Sequence, residues 1–230
     1  MSIKAVSFDI GHTLVKYNNP LNWKSLYGQA LEHASRECGV VLSRSQLQMA
    51  ETILSKYNTR ENPREKEVSS GCIFKEILDV WAQPYDKLES AKTAFYRFFQ
   101  ADAVCYNDVV DTLRHLKLAG IKIGALTDVA YGMDNSFSLR DIEGIHQFFD
   151  LVLTSVDVGY RKPNSAGFLM LLSAFDVAPS EMLFVGDEQK DIIGANRLDI
   201  ISVLIDRSGG APVWGQCFTI KSLLDICGML

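Results

Sequence analysis

The sequence predicts an α/β fold, a doubly wound parallel sheet interrupted once by an all-helical insertion, and three observations lead there. After Gln100, short apolar segments alternate with helical ones, the pattern of parallel strands covered by crossover helices on both faces. One further apolar segment, IKAVSF at residues 3–8, stands apart at the start and belongs to the same sheet. Between the two, from Asn22 to Gln100, the only periodicity is helical.

The elements follow in order. Residues 3–8 form the first strand, ending at Asp9. Trp23, Leu26, Tyr27, Ala30, Leu31, Ala34 and Cys38 recur at 3/4 spacing, and Gly39 closes that helix as a C-cap. Ser43 starts a second helix carrying Leu47, Ala50, Ile53, Leu54 and Tyr57. The stretch NTRENPREKEVSSG, punctuated by Pro63 and Gly71, reads as a solvated loop with Arg60, Arg64 and Lys66 exposed. Helices over Ile73–Trp81 and Tyr85–Phe99 follow, and the helical spacing of FYRFF marks it as packing. Beyond residue 106, NDVVDTLRHLKLAG is an amphipathic helix stopped by Gly120. IKIGALTD is then a strand, DIEGIHQFF a helix, DLVLTS a strand, KPNSAGFLMLLSAFD a helix, EMLFVGDE a strand, KDIIGANRLD a helix and ISVLI a strand. Residues 1–16 and 101–230 thus form the sheet domain and 17–100 a helical one, with hinges expected at Lys16–Pro20 and Ala101–Asn107.

Composition narrows the class. With 47% apolar and 22% charged residues, the 230-residue chain can bury a sizeable core. A net charge of −5 without a basic cluster gives nucleic acid or an anionic membrane nothing to grip. No apolar run approaches the roughly 18 residues of a membrane span, and the start lacks a signal-type apolar stretch. The five cysteines include no CxxC pair, so free buried thiols in a reducing compartment, and a cytoplasmic protein, are expected. No oligomeric state is predicted.

Open parallel sheets bind ligands at the carboxyl ends of their strands, near the point where strand order reverses. The first strand ends in Asp9, the second in Thr127 and Asp128, and the fourth in Gly186, Asp187 and Glu188, while the loop after the third carries Arg161 and Lys162. A hydroxyl, an ammonium and several carboxylates therefore meet on one edge.

In those segments the chain resembles the haloacid dehalogenase superfamily, in its phosphatase-like branch with a helical cap. VSFDIGHTL matches the first motif, hhhDxDx[TV], at Asp9 and Thr13 but not at Gly11; IGALT matches the second at Thr127, GYRKP the third at Lys162, and VGDEQKD the fourth, GDxxxD, at Gly186, Asp187 and Asp191. The resemblance implies a Rossmann-like core and a cap over the site. It also implies an aspartyl-phosphate on Asp9 and Mg²⁺ held by Asp9, Asp187 and the Gly11 carbonyl, with Glu188 and Asp191 behind it. Lys162 and Thr127, with Asp128 beside it, would meet the phosphate. The chemistry is coherent: a phosphoryl group needs its charge neutralised before a carboxylate attacks it, and Mg²⁺ is hard and oxygen-seeking. The expected partner is a small phosphorylated metabolite.

Gly11 is the departure. Relatives carry an aspartate there that protonates the leaving oxygen, a role worth about 10²–10⁴ in rate. Three readings follow: a phosphatase for esters with good leaving groups, a rescue in which His12 is the substitute acid, or a phospho-ligand-binding regulatory protein without efficient turnover.

Overall fold

The computed structural model describes residues 2–18, 22–99, 103–210 and 212–230. β1 (Ala5–Phe8) opens the chain. β2 (Val15–Tyr17) pairs antiparallel with β3 (Ala103–Cys105), joining the two segments that flank the helical insertion. β4 (Lys122–Thr127), β5 (Leu151–Thr154), β6 (Met182–Gly186), β7 (Ile201–Ile205) and β8 (Phe218–Ile220) join β1 in a parallel sheet of order β5-β4-β1-β6-β7-β8. The chain builds outward from β1 on one side, then crosses it to build the other. The crevice where order reverses therefore opens at the end of β1, beside β4 and β6. The α/β class and the five longer parallel strands agree with the sequence reading. β8 is the addition, three residues too short to carry a pattern.

The helices of the insertion are α1 (Trp23–Glu37), α2 (Arg44–Tyr57), α3 (Ser70–Val80) and α4 (Leu88–Phe98). Ser43 caps α2 in a reciprocal capping box with Gln46, and Gly39 leaves α1 at φ 65°, as a glycine after a helix can. The apolar stripes of the four helices converge on Leu31, Leu54, Phe74, Trp81 and Phe95, all within 1% of complete burial. Each such side chain stabilises by about 1.5–3 kcal/mol relative to exposure. Phe95 and Tyr96 of FYRFF are packing residues, as the spacing implies.

The sheet domain is layered by strand alternation. Val6, Phe8, Leu183, Val185 and Val203 point to one face, against Leu113 and Leu116 of α5 (Val109–Leu118). Two short helices, α6 (Asn135–Ser138) and α7 (Ser155–Val158), flank β5. On the other face, Ala5, Met182 and Phe184 meet Phe168 and Leu171 of α8 (Ala166–Phe175) and Ala195 of α9 (Gln189–Asn196). The segment read as a helix at DIEGIHQFF is a 3₁₀ helix, Leu139–Phe148.

Several expectations need correction. The charged loop between α2 and α3 is not simply solvated. Arg161 N–H donates to the Glu65 carbonyl at 2.6 Å and Glu67 N–H to the Gly159 carbonyl at 2.9 Å. The Glu67 carboxylate, 3% exposed, takes Arg161 at 2.5 Å and Ser155 Oγ at 2.5 Å. Arg64, expected to be exposed, is half-buried over the Tyr57 ring. Arg60 and Lys66 are exposed as expected, whereas Arg64 and Glu67 turn inward to partners. The cysteines are free, but not buried: Cys72 and Cys217 are exposed and Cys38, Cys105 and Cys227 are intermediate. Parts of both expected hinges, at residues 19–20 and 101–102, lie outside the described residues. Among the described residues no helix is long and apolar enough to cross a membrane.

The insertion also packs on the loop after β4, whose Val129, Tyr131 and Met133 complete its core. Gly132 sits in that loop at φ 62°, where an added Cβ would lie 2.1 Å from the Val68 carbonyl oxygen. Gly132→Ala is expected to cost on the order of 2 kcal/mol or more, since the backbone angle and the clash with main chain act together. Urea unfolding of the variant beside wild type measures it; an unchanged midpoint would mean this contact is not tight in solution.

Candidate active site

Asp9 leaves β1 with its N–H bonded to the Val185 carbonyl at 2.8 Å, so the two central strands fix its position. The chain then turns tightly, Leu14 N–H reaching back to the Ile10 carbonyl at 2.9 Å. The left-handed residue of this turn is His12, at φ 58°, and not Gly11. Backbone geometry therefore does not demand a glycine at residue 11. Among the described residues, a Cβ there would meet the Tyr17 hydroxyl alone, at 3.9 Å. His12 is exposed on the rim, its ring edge-on to Tyr17 at 5.6 Å.

Lys162 reaches under the strand ends. Its Nζ lies 2.6 Å from Asp9 Oδ1, 2.6 Å from Asp191 Oδ1 and 3.0 Å from the Leu126 carbonyl, and the side chain is 1% exposed. Burial pulls towards loss of its proton, but the charges of Asp191, Asp9 and Asp128 overrule that and hold the ammonium well above its usual pKa. Asp128 anchors the same lysine by accepting from its backbone N–H at 3.0 Å, and pairs with Lys190 at 3.1 Å. Burial works against the Asp128 charge, yet Lys162, Lys190 and Arg161 hold its carboxyl below the usual range.

The end of β6 supplies the remaining acids. Thr13 Oγ1 donates to Asp187 Oδ1 at 3.0 Å, while Asp191 is fully buried in the first turn of α9, accepting from Glu188 N–H at 3.0 Å. Gly186 makes room for it: a Cβ would fall 2.4 Å from the Asp191 carboxyl carbon. Burial, then the charge of Asp9, pushes Asp187 up to about 6; burial pushes Asp191 up to about 7, against the pull of Lys162.

Asp9, Asp187 and Asp191 each bring a carboxylate oxygen within 4.8 Å of the others. Three carboxylates thus share one buried ammonium, a donor set of hard oxygens short of positive charge, which suits a small divalent cation. Glu188 stays outside this trio. Its carboxylate is held by Lys190 at 2.6 Å, with Arg60 of the insertion 3.8 Å away.

Thr127 and Asp128 line the same cavity as Asp9, a space of about 710 Å³ that Trp23, Lys24, Asn58 and Arg60 of the insertion also line. The residues singled out in the sequence are therefore brought to one place, with Glu188 and His12 at its margins. Sequence reasoning passed over Lys190, although it lies inside VGDEQKD. It also passed over Tyr17 and Asp141, which line the cavity and carry no motif.

The family described as haloacid dehalogenase-like hydrolase matches residues 3–199. Glyceraldehyde 3-phosphate phosphatase of Methanopyrus kandleri is 30% identical over 218 residues, 89% of this chain and 84% of that one. Among solved structures, a HAD phosphatase from Thermococcus onnurineus aligns with TM-score 0.64 at 23% identity, covering 99% of this chain and 97% of the other. A 2-haloacid dehalogenase from Pseudomonas syringae pv. Tomato DC3000 aligns with TM-score 0.69 at 20% identity over 99% and 98%. The shared fold thus carries two chemistries, and side chains must choose between them.

The raised Asp187 sets a pH signature. A carboxyl lifted in the folded state binds its proton more tightly there, so the metal-free protein gains stability from it as pH falls through about 6 and loses that gain as pH rises. A cation held by Asp187 would have to displace that proton. Saturating Mg²⁺ is expected to raise Tm more at about pH 7.5 than at about pH 5; equal increments would show that Asp187 does not hold the ion.

Proposed function

This chain belongs to the haloacid dehalogenase-like hydrolase family, and we propose that it is a Mg²⁺-dependent phosphatase of a small phosphorylated metabolite, with Asp9 as nucleophile. The observation that carries the reading is the Asp9–Lys162–Asp191 bridge, two contacts of 2.6 Å beside Asp187. A dehalogenase has no use for an acidic trio; a site that must bring an anionic carboxylate to an anionic ester has one.

In this reading Asp9 attacks phosphorus, the leaving oxygen departs, and water then hydrolyses the aspartyl-phosphate. Lys162 holds Asp9 in place and offsets charge as it shifts to the phosphoryl oxygens, where a preorganised donor contributes most. Thr127 donates its hydroxyl to the phosphate. The Asp128 carboxylate is engaged by cations, so its share in phosphate binding falls to its main-chain N–H. Asp9, Asp187 and the Gly11 carbonyl would hold Mg²⁺, with Asp191 behind them, and the ion would neutralise charge on the phosphate. The insertion acts as a cap that excludes water and reads the rest of the substrate. The Methanopyrus relative is named for a three-carbon sugar phosphate, and the cap's Lys24, Asn58 and Arg60 offer polar contacts to a ligand of that size.

Asp9→Asn is expected to lower Mg²⁺-dependent phosphate release from an activated aryl phosphate by about 10³-fold or more, because the attacking atom is lost. A variant as active as wild type would remove Asp9 from the mechanism. Lys162→Met is expected to cut the same rate by about 10²–10³, followed as phosphate release on protein whose circular dichroism shows it folded.

A further inference from the structure

Gly11 leaves the leaving oxygen without a carboxyl of its own, and the structure shows what stands beside the gap. Tyr17 projects from β2, which its pairing with β3 holds in place. Among the described residues its hydroxyl is the one side-chain atom that a Cβ on Gly11 would meet, at 3.9 Å, and it lines the cavity with Asp9. Behind it, Tyr17 Oη donates to Asp141 Oδ2 at 2.7 Å. Asp141 comes from the 3₁₀ helix Leu139–Phe148, beyond the insertion in sequence, and is half-buried.

We propose that Tyr17 and Asp141 form a proton relay that takes the place of the missing side chain at residue 11. The inference rests on the phosphatase reading above. The relay starts with Asp141 as a carboxyl whose proton faces Tyr17 Oη, and with the phenolic proton facing the leaving oxygen. As the bond from phosphorus to the leaving oxygen breaks and the bond to Asp9 forms, the phenolic proton of Tyr17 passes to that oxygen and yields the free alcohol. Once that proton has left, the Asp141 proton refills Tyr17, leaving a carboxylate that accepts from the phenol at 2.7 Å. When water cleaves the aspartyl-phosphate, one water proton returns by the same route to Asp141 and the other stays on the released phosphate. The relay ends the cycle as it began.

The surroundings suit both partners. Burial raises Tyr17 and keeps it a phenol. Burial lifts Asp141 above the usual carboxyl range, against Tyr17's hydrogen bond and the charge of Arg140. Tyr17 is then the group that touches substrate, and Asp141 acts through it.

Leaving-group dependence tests this. 4-Nitrophenolate departs unaided, whereas the oxygen of a three-carbon alkyl phosphate such as glycerol 3-phosphate needs a proton. In kcat/KM, which covers only the steps up to that departure, Tyr17→Phe is expected to lower the alkyl-to-nitrophenyl ratio by on the order of 10²-fold. Asp141→Asn keeps a hydrogen-bonding partner but no acidic proton to pass on, and is expected to lower the same ratio. A purely structural role for either residue would depress both esters alike, so an unchanged ratio in either variant overturns the relay. Wild type that hydrolyses 4-nitrophenyl phosphate but no alkyl phosphate also overturns it, while the phosphatase reading stands. If wild type hydrolyses neither, or Asp9→Asn hydrolyses both as well as wild type, the phosphatase reading falls and the relay with it. A Gly11→Asp/Tyr17→Phe protein that regains the ratio would support the relay directly.

Discussion

One ammonium group organises this molecule. Lys162 lies almost wholly out of water, and only the carboxylates around it make that tolerable. A buried charge without partners costs several kcal/mol, so Asp9, Asp128 and Asp191 must be delivered to within reach of it. Each arrives from a different strand end: Asp9 after β1, Asp128 after β4, Asp191 from the helix after β6. The order of the sheet, with β1 between β4 and β6, is what makes three such ends adjacent. Fold and charge balance are thus one constraint seen at two scales.

The same constraint explains the glycine at the end of β6. A side chain at Gly186 would occupy the place of the Asp191 carboxyl, and without that carboxyl the ammonium loses one of its two closest anions. The glycine two residues beyond Asp9 has no comparable duty. Its conformation is ordinary, and among the described residues a Cβ there would meet the Tyr17 hydroxyl at no closer than 3.9 Å. What the backbone required of that turn is carried by His12 instead.

Much of this was legible in the chain, for physical reasons that also mark where legibility stops. The strands of the sheet are apolar on both faces, so IKIGALT or EMLFVG announces itself without context. Asp9, Thr127, Lys162 and Asp187 could be placed together because strand ends in a parallel sheet converge by construction. FTI at β8 is too short to show a period, and its place at the edge of the sheet gives it little apolar surface. Tyr17 and Asp141 are 124 residues apart, and no spacing rule joins a strand residue to a 3₁₀ helix across that distance. Glu67 looked like one more charge in a solvated loop. Only the tertiary arrangement shows it buried against Arg161, because alternation of sign says nothing about what each charge faces.

That ion pair has a further bearing. Glu67 belongs to the cap, whereas Arg161 immediately precedes Lys162 and also donates to the Val129 carbonyl at 2.7 Å, beside Asp128. The cap is therefore tethered to the sheet domain in its middle as well as at its two ends. Displacing the insertion from the sheet domain would separate that acid from the residue next door to the central amine. Position of the insertion and placement of the buried amine are thereby linked through one acid–guanidinium contact.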